Sequence, residues 1–110
     1  MLLFETAGEP HSGSCASSAS EGVSLETEFT FKCSDWQDAS LPLTYEFALG
    51  NEPISYGTSP LSVSTILPAG SPENDFKLKV TIVIKNAVGV SVVQNLLIKV
   101  LQLIVYELTF

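Results

Sequence analysis

The chain has 110 residues, 45% of them hydrophobic and 15% charged, with a net charge of −7. That length fits one domain, and that apolar share supplies one core rather than a disordered chain. The acidic balance argues against DNA or RNA, whose phosphates select basic faces, and against an anionic membrane surface.

The first stretch, "MLLFETAGEPHSG", starts apolar but has no basic flank, and Glu5 follows closely, so it does not read as a secretory signal. Residues 1–9 are expected to form a flexible or truncated lead-in. "SGSCASSAS" is Ser-rich but too short to be a linker in its own right. "LETEFTFKC" alternates with period two: Leu25, Thr27, Phe29, Phe31 and Cys33 share one face, and Glu26, Glu28, Thr30 and Lys32 the other.

"PLTYEF" repeats the pattern, with Leu43, Tyr45 and Phe47 inward. "PLSVSTIL" places Leu61, Val63 and Thr65 together. "FKLKVTIVIK" sets Phe76, Leu78, Val80, Ile82 and Ile84 against Lys77, Lys79, Thr81 and Lys85. "GVSVVQNLLIKV" continues with Val90, Val92, Leu96, Ile98 and Val100. These runs are rich in the β-branched and aromatic residues that suit a pleated, half-buried surface.

Turn chemistry separates the runs at "SASEG", "SDWQDASLP", "GNEPISYGTSP", "LPAGSPEND" and "NAVG". Val80 and Ile82 are expected at the centre of the core, on a strand paired with the one after Gly89, with Asn86 and Gly89 tolerating positive φ in the turn. Short strands at roughly ten-residue spacing indicate an all-β, antiparallel immunoglobulin-like sandwich over residues 10–101. The remaining 102–110 read as the end of the last strand or a truncated continuation. Lys99, Gln102 and Glu107 interrupt "LLIKVLQLIVYELTF" well short of the ~20 apolar residues of a membrane span. The whole reads as a piece of a longer protein.

Candidate chemistry is sparse. Cys15 and Cys33 are either one disulfide, which implies an oxidising compartment, or two unrelated buried thiols. Asp35 with Asp38, and Glu73 with Asp75, are acid pairs, but calcium takes six to eight oxygens and neither pair supplies enough. One His (His11) and two Cys do not make a zinc set, so no metal or other cofactor is expected. There is no G-x-S-x-G turn, no phosphate-cradling glycine loop and no N-glycosylation sequon, and no enzyme is expected. Trp36 is expected to cap the core, with its indole N–H on a loop carbonyl.

The stretch "SGSCASSASEGVSLETEFTFKCSDWQDASLPLTYEF" resembles the recurring signature of the receptor-for-egg-jelly (REJ) region of polycystin-1 family proteins. The matching residues are Gly13, Cys15, Gly22, Leu25, Thr27, Phe29, Cys33, Trp36, Asp38, Pro42, Leu43 and Tyr45. The second half resembles the closing strands of PKD and fibronectin-III-like modules, with an Asn-x-x-Gly hairpin at Asn86 to Gly89. The Trp-Asp-Phe-Gly-Asp-Gly motif of PKD repeats is replaced by residues 45–50, which favours an REJ-type module.

The resemblance implies a Cys15–Cys33 disulfide and an architectural role for Gly13, Gly22, Trp36, Asp38, Pro42, Leu43, Tyr45, Asn86 and Gly89. It implies a non-catalytic module in the extracellular part of a large multipass plasma-membrane protein active in cell-surface sensing, adhesion or cation-channel assemblies. Its partners would be neighbouring modules of the same ectodomain and an extracellular protein or glycan ligand, with no nucleic acid. The alternative is a secreted sandwich that binds carbohydrate or protein through Trp36 and Tyr56.

Overall fold

A computed structural model describes residues 8–103; the terminal readings for 1–7 and 104–110 lie outside the described residues. Nine strands follow in chain order: β1 (Ser14–Ser17), β2 (Glu21–Val23), β3 (Glu28–Phe29), β4 (Phe31–Ser34), β5 (Thr44–Leu49), β6 (Glu52–Gly57), β7 (Thr65–Ile66), β8 (Lys77–Lys85) and β9 (Ser91–Leu101). A single 3-10 turn, Pro72–Asn74, precedes β8. The described chain is all-β apart from that turn.

Five strands form one sheet in the order β2-β9-β8-β5-β6. Its spine is the antiparallel β8–β9 ladder, which runs in unbroken register from Lys77↔Lys99 to Lys85↔Ser91. Alternation along β8 sends Val80, Ile82 and Ile84 inward, each fully buried, so the expected core positions and the expected pairing both hold. A smaller layer faces this sheet, built from the ribbons β1–β4 and β3–β7. Residues 60–62 continue it beside β4: Cys33 N–H donates to the Pro60 carbonyl at 2.8 Å, and Ser62 N–H to the Phe31 carbonyl at 2.8 Å. Phe29, Phe31 and Cys33 from this layer share one buried cluster with Tyr45, Phe47, Val80, Ile82, Ile84, Ile98 and Val100 from the sheet. Phe31 stacks on Phe47 with ring centroids 6.5 Å apart.

The structure departs from the sequence expectations at several points. The strand expected over 25–33 is broken. Leu25 sits at φ 62 and is 68% exposed, and Thr27 lies in a turn closed by its N–H on the Val23 carbonyl at 3.0 Å. The break has a topological cause. β2 belongs to the large sheet and β3 to the small layer, so the chain changes layers between residues 24 and 27.

The sheet is also not wholly antiparallel, because β2 pairs with β9 in parallel, Glu21↔Lys99 to Val23↔Leu101. Leu61 and Val63 face solvent at 51% and 58% exposure, because Ser62 between them is the buried residue. Phe76 stands outside β8 at φ 59, following Asp75 at φ 55. The turn expected over 50–60 contains strand β6 at the edge of the sheet, where Pro53 does without a ladder N–H.

The two ends of the described chain lie at opposite ends of the β8–β9 ladder. Gly8 receives a hydrogen bond from Asn86, just past the end of β8. At the far end, Ser24 N–H donates to the Leu101 carbonyl at 2.8 Å, and Leu103 N–H donates to Ser24 Oγ at 2.9 Å.

Candidate functional site

Most of the residues singled out by sequence converge around the incoming end of the chain, whereas Gly22, paired with Val100, lies at the outgoing end. Cys15 and Cys33 are register partners across β1 and β4, and they form a disulfide with their Cα atoms 3.9 Å apart. Both are buried, so the bridge is part of the core wall. Trp36 follows β4 and lies over it. The indole Nε1 donates toward Cys15 Sγ at 3.4 Å, so the N–H ends on the disulfide and not on the loop carbonyl expected from sequence.

Gly13 completes this stack. A Cβ added there would fall 2.3 Å from Trp36 Cγ, so only a glycine backbone lets the indole approach this closely. Gly22 plays a comparable part beneath Phe29, whose Cζ would lie 2.6 Å from an added Cβ.

Asp38 and Asn86 form a second cluster. Asn86 is buried, and all four of its side-chain hydrogen-bonding positions are used. Its Nδ2 donates to Asp38 Oδ2 at 3.0 Å and to the Gly8 carbonyl at 3.1 Å. Its Oδ1 accepts from Val88 N–H at 3.1 Å and Val90 N–H at 2.9 Å. Asp38 Oδ1 in turn accepts from Ser40 N–H at 2.7 Å.

One side chain therefore ties the β8–β9 turn, the loop after β4 and the incoming chain together. In the turn itself the positive φ belongs to Gly89, at 94°, and Asn86 contributes its amide. Leu43 and Tyr45 carry the chain into the sheet as buried residues, and Pro42 is exposed with a cis bond to Leu41. Burial raises the Tyr45 phenol above its ordinary value of 10.0.

Three further residues belong to this framework and were not singled out from sequence. Gln94 occupies an inward position on β9 and grips β1 with both ends of its amide. Cys15 N–H donates to Oε1 at 3.0 Å, and Nε2 donates to the Cys15 carbonyl at 3.1 Å. Ser62 Oγ accepts from Phe31 N–H at 2.8 Å. At Gly70 an added Cβ would sit 2.1 Å from the Phe76 carbonyl oxygen. The available signals were a polar residue interrupting the inward series of β9, a serine between two exposed aliphatics, and a glycine before a Ser-Pro turn.

The acid pairs do not meet. Asp35 and Asp38 lie beside the incoming chain, whereas Glu73 and Asp75 lie at the other end of the ladder, where Asp75 pairs with Lys99 at 3.5 Å. Among the described residues, no group of three or more His, Cys, Asp or Glu is placed to hold a metal ion. His11 pairs through its backbone with Gln37, and its Nδ1 lies 2.9 Å from Ser12 Oγ. Tyr56 projects from the outer face of β6 opposite Glu46, whereas Trp36 packs against Gly13 and the core, so the two do not form one aromatic platform. No helix of the described residues is long and apolar enough to cross a membrane.

These features define a small disulfide-stapled β module whose distinctive side chains hold its layers and its incoming chain in place. A family model for the REJ domain matches residues 1–108, and the chain belongs to that family. It is 26% identical over 97 residues to the mouse protein named polycystin family receptor for egg jelly, covering 73% of this chain. The chain spans only 4% of the length of that relative. No solved structure matches it at a significant level.

Proposed function

We propose that this chain is a non-catalytic structural and interaction module from the extracellular part of a polycystin-like multipass membrane protein, with an immunoglobulin-like sandwich architecture. Its role is to hold a fixed shape between neighbouring modules of that ectodomain. The observation that carries this reading is the placement of the chain ends. The chain enters at Gly8 and leaves near Leu103, at opposite ends of the nine-pair β8–β9 ladder, a span of ~30 Å. A module joined at opposite ends can sit in series with others.

The anchoring side chains support the same reading. Asn86 fixes the incoming backbone. The disulfide passes load from β1 to β4 before β1 can peel away. The parallel β2 and β9 strands at the outgoing end run along the ladder axis, so a pull between the two ends loads the hydrogen bonds across them in shear, and they share load and do not open one by one.

The test is to stretch the oxidised chain from end to end by single-molecule force spectroscopy. One discrete unfolding event is expected, in calcium and in chelator alike. Reduction should lengthen the extension by about 6 nm, at ~3.5 Å per residue over the 18-residue separation of the cysteines. Extension without a discrete event overturns the reading. So does a calcium-dependent rise in unfolding force that Asp38→Asn abolishes.

A further inference from the structure

The incoming chain lies as a strap beside the disulfide. Residues 8–13 run from Gly8, whose carbonyl accepts from Asn86 Nδ2 at 3.1 Å, to Gly13, packed on the indole of Trp36. Between them Pro10 is buried, and His11 and Gln37 exchange backbone hydrogen bonds at 3.0 and 2.9 Å. The indole is held between this strap and the bridge, with Gly13 against its ring and its Nε1 3.4 Å from Cys15 Sγ. Cys15 is 5% exposed and Cys33 1%, so the closed molecule withholds both sulfurs from a thiol in solution.

The strap is held more weakly than what it covers. Among the described residues, three hydrogen bonds and the buried Pro10 tie it to the body, against nine register pairs along β8–β9. Segments held by few bonds open locally, well before the whole chain unfolds. Tension on the incoming chain meets the strap bonds one after another, starting at Gly8. Peeling stops at Cys15, which is covalently joined to Cys33. By then Gly13 has left the indole, and the load falls on the disulfide.

From this arrangement we infer that residues 8–13 are a tension-gated lid over a cleavable disulfide, and that the chemistry admitted is exchange with an external small dithiol. One thiolate of the dithiol attacks Cys15 Sγ, the sulfur beneath the indole, and the electron pair of the broken S–S bond leaves on Cys33 as a thiolate. The second thiolate of the reagent attacks its own sulfur in the mixed disulfide and releases Cys15 as a thiolate. The dithiol ends as a disulfide, the two cysteines gain its two electrons, and its two protons pass to them or to solvent. β1 is then free to leave β4, and tension draws the 18-residue separation of the cysteines into the extended chain. The lid rests on the reading of the chain as an ectodomain module in series, which supplies the tension.

The first measurement needs no force. Dithiothreitol is added to the oxidised chain, free thiols are alkylated at intervals, and the mass gives the reduced fraction. His11→Pro, at an exposed position, removes a backbone donor of the strap. Gly13→Ala drives the indole away from it. Each should speed reduction at least about tenfold, as a local opening made easier. Ile82→Val is the counter-test, since it loosens the sheet core and leaves the strap alone. It should raise the globally unfolded population about fivefold and leave the reduction rate unchanged. Melting curves check the fold, and if His11→Pro does not fold, Gly13→Ala carries the comparison. Reduction that Ile82→Val speeds as much as the strap variants overturns the inference, because exchange then passes through global unfolding. Reduction at the parent rate in the strap variants overturns it as well.

The second measurement supplies the tension. One oxidised chain is held by its ends in dithiothreitol below the force that unfolds it, and the force is then raised. A reduced chain unfolds to the longer extension and an oxidised chain to the shorter. The reduced fraction after a fixed hold should grow with the hold force. A fraction independent of hold force overturns the inference and, where unfolding is still one discrete event, leaves the module reading standing.

Discussion

Along β8 and β9 nine register pairs run without a break, and the inward side chains Val80, Ile82, Ile84, Ile98 and Val100 meet the core with no special device. In the layer opposite, the longest ladder, β1–β4, has four pairs, and β3–β7 has two. That layer is held by a disulfide, by Gln94 on the backbone of Cys15, by Ser62 on the N–H of Phe31, and by Trp36 laid on Gly13. The contrast shows how short strands persist. Where the backbone ladder is too short to fix the register, side chains take over its hydrogen bonds and cross-links. Damage to the two layers should therefore differ in kind: loss of packing in the sheet, loss of registration in the small layer.

The largest effect is expected in the sheet. Ile82 is fully buried at the centre of β8, and Ile82→Ala should destabilise by about 4 kcal/mol in denaturant unfolding, as truncation of a buried isoleucine leaves a cavity. Val93→Ala, outward on the neighbouring strand and 57% exposed, should cost less than about 0.5 kcal/mol. Equal losses at the two positions would mean that the inner and outer faces have been exchanged.

Removing the disulfide comes next. Replacing Cys15 and Cys33 together by Ala should cost about 3 kcal/mol, the chain-entropy value for a loop of this length. The comparison of layers sharpens this test, because amide exchange can be read strand by strand. Protection should fall in β1 and β4 while β8 and β9 keep theirs at mild denaturant. A uniform loss would show that the two layers open as one unit, and the contrast drawn above would not hold.

The same division governs how much could be read from sequence. β8 and β9 were legible because both keep period-two alternation long enough to declare a face, and the Asn86–Gly89 stretch marked the turn between them. Leu25 to Cys33 alternates just as well, yet residues 24–27 cross between layers. Alternation reports a face and is blind to which sheet a strand joins. Leu61 and Val63 share a face as expected, but nothing local says that it looks outward when the buried partner is a serine.

Within the site, the family signature pointed to Gly13, Trp36 and Asp38 but not to their contacts. Asp38 and Asn86 are 48 residues apart and Cys15 and Gln94 are 79 apart, so only the folded chain brings them together.

A smaller loss is expected from Gly13→Ala. The new methyl would lie 2.3 Å from the indole, and the cost of pushing Trp36 aside should be about 2 kcal/mol. Gly8→Ala, where an added Cβ meets nothing within 4 Å, serves as the control and should change little. The assignment to Trp36 is checked by a double-mutant cycle. In a Trp36→Leu background the same Gly13→Ala change should cost much less. If it costs as much without the indole, the glycine is needed for its backbone alone and the stack is incidental.

The smallest effect concerns Tyr45, which stands at the seam of the two layers, buried on β5 in the cluster against which Trp36 packs. Burial favours the neutral phenol, so the folded-state pKa lies above the ordinary value of 10.0. The unfolded chain releases this proton at lower pH than the folded one. Stability from the neutral phenol is therefore fully present below pH 10 and is lost as pH rises through the folded value. Melting temperature measured across this range should fall more steeply above pH 10 for the parent than for Tyr45→Phe, which has no proton to lose. Parallel curves would mean that the phenol reaches water equally well in both states. The seam would then be open to solvent at Tyr45.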